Sequence, residues 1–160
     1  MRSLRYASIR VAMKLPIPIR RRLTWLTQAT FTVGVSAVLV NDHHEILLLR
    51  HRFREKQNWE LPGGFVEREE SLVEALQREL SEETGLVVEI LSLASAGVLR
   101  ARHLDVCYVA RVAGGSLRLD DREILEAEFY AYQDLPPDLR AEHRRNIELA
   151  RGHLDQLIGG

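Results

Sequence analysis

The stretch that most constrains this chain is "SLVEALQRELSEETG", because it specifies both of its own ends. Ser71 followed three residues later by Glu74 is a capping box, in which each side chain can bond the other residue's backbone N–H. Gly85 supplies the left-handed stop at the far end. Together they predict a helix over about 71–84. Around it lie apolar runs rich in β-branched residues and broken by turn signals. "TFTVGVSAVLV" predicts a buried strand, "NDHH" a turn, and "EILLLRHR" the returning partner of a hairpin. The loop "FREKQN" leads into "WELPGGFVE", where Pro62, Gly63 and Gly64 force an irregular backbone between short extended pieces. Beyond the helix, "LVVEILSLA", "AGVLRAR", "DVCYVARV" and "EAEFYAY" predict further strands, with a turn at Gly114-Gly115. A final amphipathic helix follows "DLPPDL", its apolar positions being Ile147, Leu149, Ala150, Leu154 and Leu157. Strands before, between and after the helices indicate an α+β or layered α/β/α domain with a mixed sheet.

Length and charge set the outer limits. A chain of 160 residues is the size of one domain, and a formal net charge of −1 excludes a chain-wide surface for polyanions. The charge is lopsided, however. Residues 1–28 hold seven basic residues (Arg2, Arg5, Arg10, Lys14, Arg20, Arg21 and Arg22) and no acid, which leaves the remainder at −8. Within "LPIPIRRRLTWLTQ", Pro16 and Pro18 stop any earlier helix, and a short basic helix is expected from about Ile19. We therefore divide the chain into a basic, partly helical arm at 1–28 and a folded domain at 29–160. No stretch approaches the roughly 20 apolar residues of a membrane-spanning helix. Arg10 and Lys14 interrupt any secretory apolar region, whereas an organellar transit peptide shares the arm's Arg-rich, acid-free character. A cytoplasmic location is the reading adopted. The single Cys107 cannot form an intrachain disulfide, and in its apolar run it is expected as a buried thiol in a reducing compartment.

On a wheel of 100° per residue, Leu72, Ala75 and Leu76 fall within about 60° of Glu79, and Glu82 and Glu83 flank Glu79 on the same side. A merely solvated acidic face would lie opposite the leucines. Here the carboxylates gather at the edge of the apolar stripe, where unpaired charge is costly and like charges repel. Converging carboxylate oxygens suit a hard divalent cation, Mg²⁺ or Mn²⁺, which would relieve that repulsion and complete its shell with waters and phosphates.

The full spacing narrows this reading. Gly64, five residues, Glu70, seven residues, then Arg78-Glu79-Leu80-Ser81-Glu82-Glu83-Thr84-Gly85-Leu86 resembles the Nudix box, GX5EX7REUXEEXGU with U apolar, at every specified position. "VSAVLVNDHHEILLLRHRF", "NWELPGGFVE" and "EILEAEFYAYQDLP" look like the flanking segments of Nudix domains, so the resemblance covers roughly 30–137. It implies a Nudix-like α/β/α sandwich with a mixed β-sheet, and a metal-dependent hydrolase that cleaves the diphosphate linkage of a nucleoside diphosphate derivative by attack of water at phosphorus. By the same resemblance Glu79, Glu82 and Glu83 coordinate Mg²⁺ or Mn²⁺, with the main-chain oxygen of Gly63 as a further ligand. Arg78 pairs with Glu70 or Glu79 and holds the ligand shell, and Glu70 orients it. Family members draw the general base from the box or from a later loop, so Glu79 and Glu123 rank first. Asp121 and Glu126 are neighbours that could serve instead.

Other residues carry weaker signals. Arg50, Arg52, Arg54 and Lys56 could meet substrate phosphates or simply be solvated. Trp59 is expected as a core anchor, Tyr130 and Tyr132 as packed under a strand, and His43, His44, His51 and His103 as surface residues. The window where some relatives carry a marker proline (ADP-ribose) or tyrosine (diadenosine polyphosphates), here "ARHL" at 101–104, has neither. A nucleotide sugar or a noncanonical nucleoside triphosphate stays open, with "LPGGFVE" leaning towards the former. The basic arm, through Trp25 and Arg20–Arg22, could alternatively serve RNA or membrane association. We expect a nucleotide-derivative substrate and a homodimer packed through the arm, with neither a nucleic-acid partner nor a membrane span.

Overall fold

The structure, a computed structural model, describes residues 16–19, 30–53, 56–100 and 102–158. The chain divides into two compact units, Met1–Thr30 and Phe31–Gly160. In the first, residues 17–19 are helical, so Pro18 sits inside a first turn, where a missing N–H costs nothing, and helical geometry begins ahead of Ile19. The rest of the basic arm, including Arg20–Arg22 and Trp25, lies outside the described residues.

The second unit is built on one mixed sheet. Its strands are β1 (Thr32–Val40), β2 (Ile46–His51), β3 (Trp59–Glu60), β4 (Gly63–Phe65), β5 (Leu86–Arg100), β6 (His103–Gly115) and β7 (Ile124–Tyr130). The order is β3-β2-β1-β6-β5, with β4 added to β1 and β7 to β2. Only β1 and β6 run parallel; the other named pairings are antiparallel. Helix α1 (Leu72–Thr84) covers one face and α2 (Ala141–Ile158) the other.

Alternation along the strands separates the two cores. On β2, Leu47 and Leu49 pack with Ala75, Leu76 and Leu80 of α1, while Ile46 and Leu48 pack with Ile147, Ala150 and Leu154 of α2. Because helices cover both faces, β1 is buried at seven consecutive positions and reads as a continuous apolar run rather than an alternating one. This is the α/β/α sandwich expected from the sequence.

Helix α1 begins and ends as its sequence specifies. Ser71 Oγ accepts the Glu74 N–H at 3.2 Å, Glu74 Oε2 accepts the Ser71 N–H at 2.8 Å, and Gly85 stops the helix at φ 70°. Several other expectations need correction. The two strands expected at "LVVEILSLA" and "AGVLRAR" are one continuous β5, because β6 pairs along its whole length and carries it through register shifts. The expected β1–β2 hairpin is present, antiparallel at Val40 and Ile46 with the Asn41 N–H donating to the Glu45 carbonyl at 3.1 Å, and the rest of β1 pairs with β6 and β4. Gly114 and Gly115 finish β6 rather than making a turn of their own. Leu149 is about half exposed, lying off the stripe that buries Ile147, Ala150 and Leu154. Trp59 and Cys107 are buried as expected. No helix among the described residues is long and apolar enough to cross a membrane.

Candidate active site

The site forms where the Pro-Gly-Gly bend meets the C-terminal half of α1. Gly63 sits at φ 141°, and a Cβ there would stand 2.1 Å from the Val35 carbonyl oxygen, so only glycine fits between β4 and β1. This brings the bend against the helix. The Gly63 N–H donates to Glu83 Oε2 at 3.0 Å, and the Glu79 carboxylate lies beside Gly64, 2.3 Å from where a Cβ would stand. Gly63 thus meets the acidic cluster through its amide.

The three box glutamates are not equivalent. Glu83 is buried, with His51 Nε2 3.8 Å from its other oxygen. Burial pushes its carboxyl up to about 8; the Gly63 N–H opposes the shift, and the charges of Glu79, Glu123 and Glu60 add to it. Glu79 is shifted upward too, by burial first, against the pull of Arg78 and with help from Glu82 and Glu123. Glu82 is mostly exposed and reaches back to Arg78 Nη1 at 3.3 Å.

Arg78 is the hub. It donates to Glu70 through Nη2 at 2.8 Å and Nε at 3.1 Å, to the Phe65 carbonyl at 3.1 Å, and lies 3.0 Å from Glu79 Oε1. Both anticipated partners, Glu70 and Glu79, therefore hold it. The hydrogen bonds from Arg78, then from the Glu67 N–H, hold the Glu70 carboxyl below the usual range. One guanidinium is thus spread over three carboxylates, Glu70, Glu79 and Glu82, while Glu83 is held instead by the Gly63 N–H. Among the described residues no three His, Cys, Asp or Glu side chains stand close enough to grip a metal ion as they are. The donor set is nonetheless all oxygen, short of positive charge and hard in character, which suits Mg²⁺ or Mn²⁺.

Glu123 lies on the exposed loop before β7. Its carbonyl accepts the Arg52 N–H at 2.8 Å, and the Arg52 guanidinium bonds the Asp121 carbonyl at 2.9 and 3.2 Å. Arg52 therefore pins the loop whose Glu123 charge is felt at both Glu79 and Glu83. Asp121 stands on the same loop. Arg50 takes the other face of β2: its guanidinium stacks 4.6 Å from the Trp59 ring and bonds Asp138 at 2.9 Å, with Glu126 at 3.8 Å. The alternation of β2 thus sends Arg50 and Glu126 away from the glutamates of α1. Lys56 is exposed, and Arg54 is outside the described residues.

A cavity of about 230 Å³ opens beside the bend, from Gly63 and Gly64 towards Asp105, His143 and Asn146. Several of its polar residues escaped the sequence reading. Glu60 is buried and paired with Arg140 at 3.0 Å, with His143 Nε2 3.8 Å away. The Leu61 N–H donates to His143 Nδ1 at 3.2 Å, so the remaining ring nitrogen carries the proton of the neutral ring. His51 and His103 are half-buried rather than on the surface, His51 beside Glu83 and His103 edge-on to Phe65 at 5.7 Å. His43 and His44 are exposed as expected. The missed signals were polar residues at apolar positions: Glu60 between Trp59 and Leu61, and His143 and Asn146 at the helical spacing of Ile147, Ala150 and Leu154.

A layered sandwich with an acidic loop–helix–loop at the edge of its sheet is a defined class of domain, and comparison with known proteins gives the family. The chain belongs to the NUDIX domain family, whose profile matches residues 30–150. It is 35% identical over 130 residues to the 8-oxo-dGDP phosphatase NUDT18 of Mus musculus, covering 79% of this chain and 38% of that protein. It is 34% identical to an ADP-ribose pyrophosphatase of Methanocaldococcus jannaschii, covering 72% of this chain and 70% of that one. The crystal structure of a MutT NUDIX hydrolase from Burkholderia pseudomallei superposes with a TM-score of 0.67 at 28% identity, over 74% of this chain and 96% of that one. The chain spans about two fifths of the length of its mouse and human relatives.

Proposed function

We propose that this domain is a divalent-metal-dependent hydrolase that cleaves the diphosphate linkage of a nucleoside diphosphate derivative. The observation that carries the reading is the charge imbalance at the bend: Glu70, Glu79 and Glu82 share one guanidinium, Glu83 lies buried beside them outside its reach, and Glu79 and Glu83 are shifted towards protonation by burial first and by neighbouring carboxylates. A cation is what such a site lacks. Glu79, Glu82 and Glu83, with the main-chain oxygen of Gly63, would hold Mg²⁺ or Mn²⁺, Glu82 exchanging its contact with Arg78 for the ion. The cation would neutralise diphosphate charge and acidify the attacking water.

The chain's own residues do the rest. Arg78, clamped by Glu70 and the Phe65 carbonyl, fixes the direction of Glu79. Glu79, or Glu123 on the loop pinned by Arg52, accepts the proton as the water oxygen bonds to phosphorus and the bridging P–O bond breaks. The products are a nucleoside monophosphate and the phosphorylated remainder. The relatives, an 8-oxo-dGDP phosphatase and an ADP-ribose pyrophosphatase, support a substrate of the nucleoside diphosphate class. The reading includes a cytoplasmic setting, a nucleotide-derivative partner and a homodimer packed through residues 1–28, the last measurable by light scattering.

The test is a screen of nucleotide diphosphate derivatives with Mg²⁺ or Mn²⁺, comparing the parent chain with Glu82→Gln and Glu83→Gln. Metal-dependent release of a nucleoside monophosphate, lost in both variants, supports the reading. No turnover on any diphosphate would overturn it, and active glutamine variants would remove the metal assignment.

A further inference from the structure

Arg52 follows His51, whose ring stands 3.8 Å from Glu83, yet its own guanidinium is turned onto main chain. Nε and Nη2 both donate to the Asp121 carbonyl, at 3.2 and 2.9 Å, and the Arg52 N–H donates to the Glu123 carbonyl at 2.8 Å. One residue thus grips the loop on both sides of Arg122. At its other end the same loop is sewn to α1. The Arg118 N–H donates to the Thr84 carbonyl at 2.8 Å, and the Asp120 N–H to the Glu83 carbonyl at 3.3 Å. Between these anchors Asp120 shapes the turn, its carboxylate accepting the Arg122 N–H at 3.0 Å and the Arg122 guanidinium at 2.8 and 2.9 Å. A register slip sets the grip on the β2 side: Glu126 faces Arg50 but Ile124 faces His51, so Leu125 is an extra residue on β7 and Glu123 comes opposite Arg52. Ile124, 2% exposed, then ties the loop to the core.

Glu123 depends on that grip because no side chain aims it. Its carboxylate has no hydrogen-bond or ion-pair partner among the described residues, so its direction follows the backbone that carries it. Its charge is nevertheless felt at both Glu79 and Glu83. We propose that Arg52 is a positioning residue for the hydrolysis: by clamping the Asp121 and Glu123 carbonyls between β2 and the end of α1, it holds Glu123 towards the acidic site, and it does not bind substrate phosphate. The inference rests on the hydrolase reading above and, of its two candidate bases, commits to Glu123. Two N–H groups on one carbonyl suit a planar guanidinium, whereas a phosphate needs mainly the charge, which an ammonium supplies as well. To meet a phosphate, Arg52 would have to release Asp121, and the loop would loosen at the step that needs Glu123 held.

The test uses the full chain, Mg²⁺ and the diphosphate derivative that the parent hydrolyses fastest in the screen above. Arg52→Met, which keeps the length but no donor, is expected to lower kcat by about tenfold or more with KM unchanged. Glu123→Gln should cost about 10²–10⁴-fold, the range of a general base. Arg52→Lys should fall between Arg52→Met and the parent, since it can offer the carbonyl one bond instead of two. The double variant of Arg52→Met with Glu123→Gln should be no slower than Glu123→Gln alone, because the clamp then has nothing to aim. In metal-free protein, hydrogen exchange at the Glu123 and Ile124 amides, which donate to the Asp120 carbonyl at 3.1 and 2.8 Å, should quicken in Arg52→Met while α1 keeps its protection. A raised KM with kcat unchanged would make Arg52 a substrate contact and overturn the proposal. Losses that multiply in the double variant, or unchanged exchange in the loop, would overturn it too. If the parent turns over and Glu123→Gln is equally fast, the proposal falls while the hydrolase reading stands. A parent without turnover on any diphosphate removes that reading and the proposal with it.

Discussion

The carboxylate of Glu79 occupies the space that a side chain at residue 64 would fill: a Cβ on Gly64 would stand 2.3 Å from its Cδ and Oε1. The glycine is therefore part of how the acid is aimed. Because the obstructed group is the far end of a flexible side chain, Gly64→Ala should cost little stability, within about 1 kcal/mol, while forcing Glu79 to another rotamer. A displacement of about 1 Å in such a group can cost roughly 10²-fold in rate. We expect kcat to fall by about that factor with the melting temperature almost unchanged. Unaltered kcat would show that Glu79 is not held for the reaction.

Arg78 and Glu70 form a two-pronged clamp, and the prongs specify the geometry. Lysine at 78 keeps the charge but cannot reach both Glu70 oxygens and the Phe65 carbonyl at once. Arg78→Lys should therefore lower kcat by about 10–100-fold, the usual range for residues that orient ligands. Glu70→Gln should do the same to a smaller extent. The double variant should be no worse than Arg78→Lys alone, since both changes undo one contact. Full additivity in a double-mutant cycle would count against the clamp.

The parts of this molecule that were legible in the sequence are those whose causes are local. Ser71, Glu74 and Gly85 fix α1 within fifteen residues, and the box spacing places Glu79, Glu82 and Glu83 on one side of it. What escaped depends on partners far along the chain. Whether Ser95 interrupts a strand is decided by Cys107, its partner across the sheet, not by its neighbours. Asp105 and Asn146 are separated by 41 residues and become a unit only through the crossing of α2 over β6. The charges also sort differently than a wheel suggests. Glu82 shares the arc of Glu83, yet Arg78 draws one outward while the Gly63 bend buries the other.

Leu76 is fully buried between α1 and the β1–β2 face, with Leu47, Leu49 and Val35 in the same core. Truncation leaves a cavity that the two-sided sheet cannot easily close. Leu76→Ala should destabilise the domain by about 2–5 kcal/mol in denaturant unfolding. Leu149→Ala, on the exposed side of α2, should cost under about 1 kcal/mol. The pair checks which face of each helix supports the core.

Glu83 links stability, pH and metal in one measurement. Its carboxyl is raised to about 8 in the folded chain, above the ordinary value of 4.5 it recovers on unfolding. Between those values the native state holds the proton more tightly than the unfolded state does. The contribution of Glu83 to stability is therefore fully present below about 4.5, falls as pH rises, and is gone above about 8. Each pH unit inside that window is worth up to about 1.4 kcal/mol. Metal-free protein should lose stability across this range, and Glu83→Gln, which carries no charge, should flatten the slope and be the more stable form at pH 8–9. Mg²⁺ or Mn²⁺ competes with the proton for the carboxylate, so it should raise the melting temperature of the parent chain more at pH 8 than at pH 6. The same ions should barely move Glu83→Gln. Equal metal stabilisation of the two proteins at pH 8 would remove Glu83 from the ligand set.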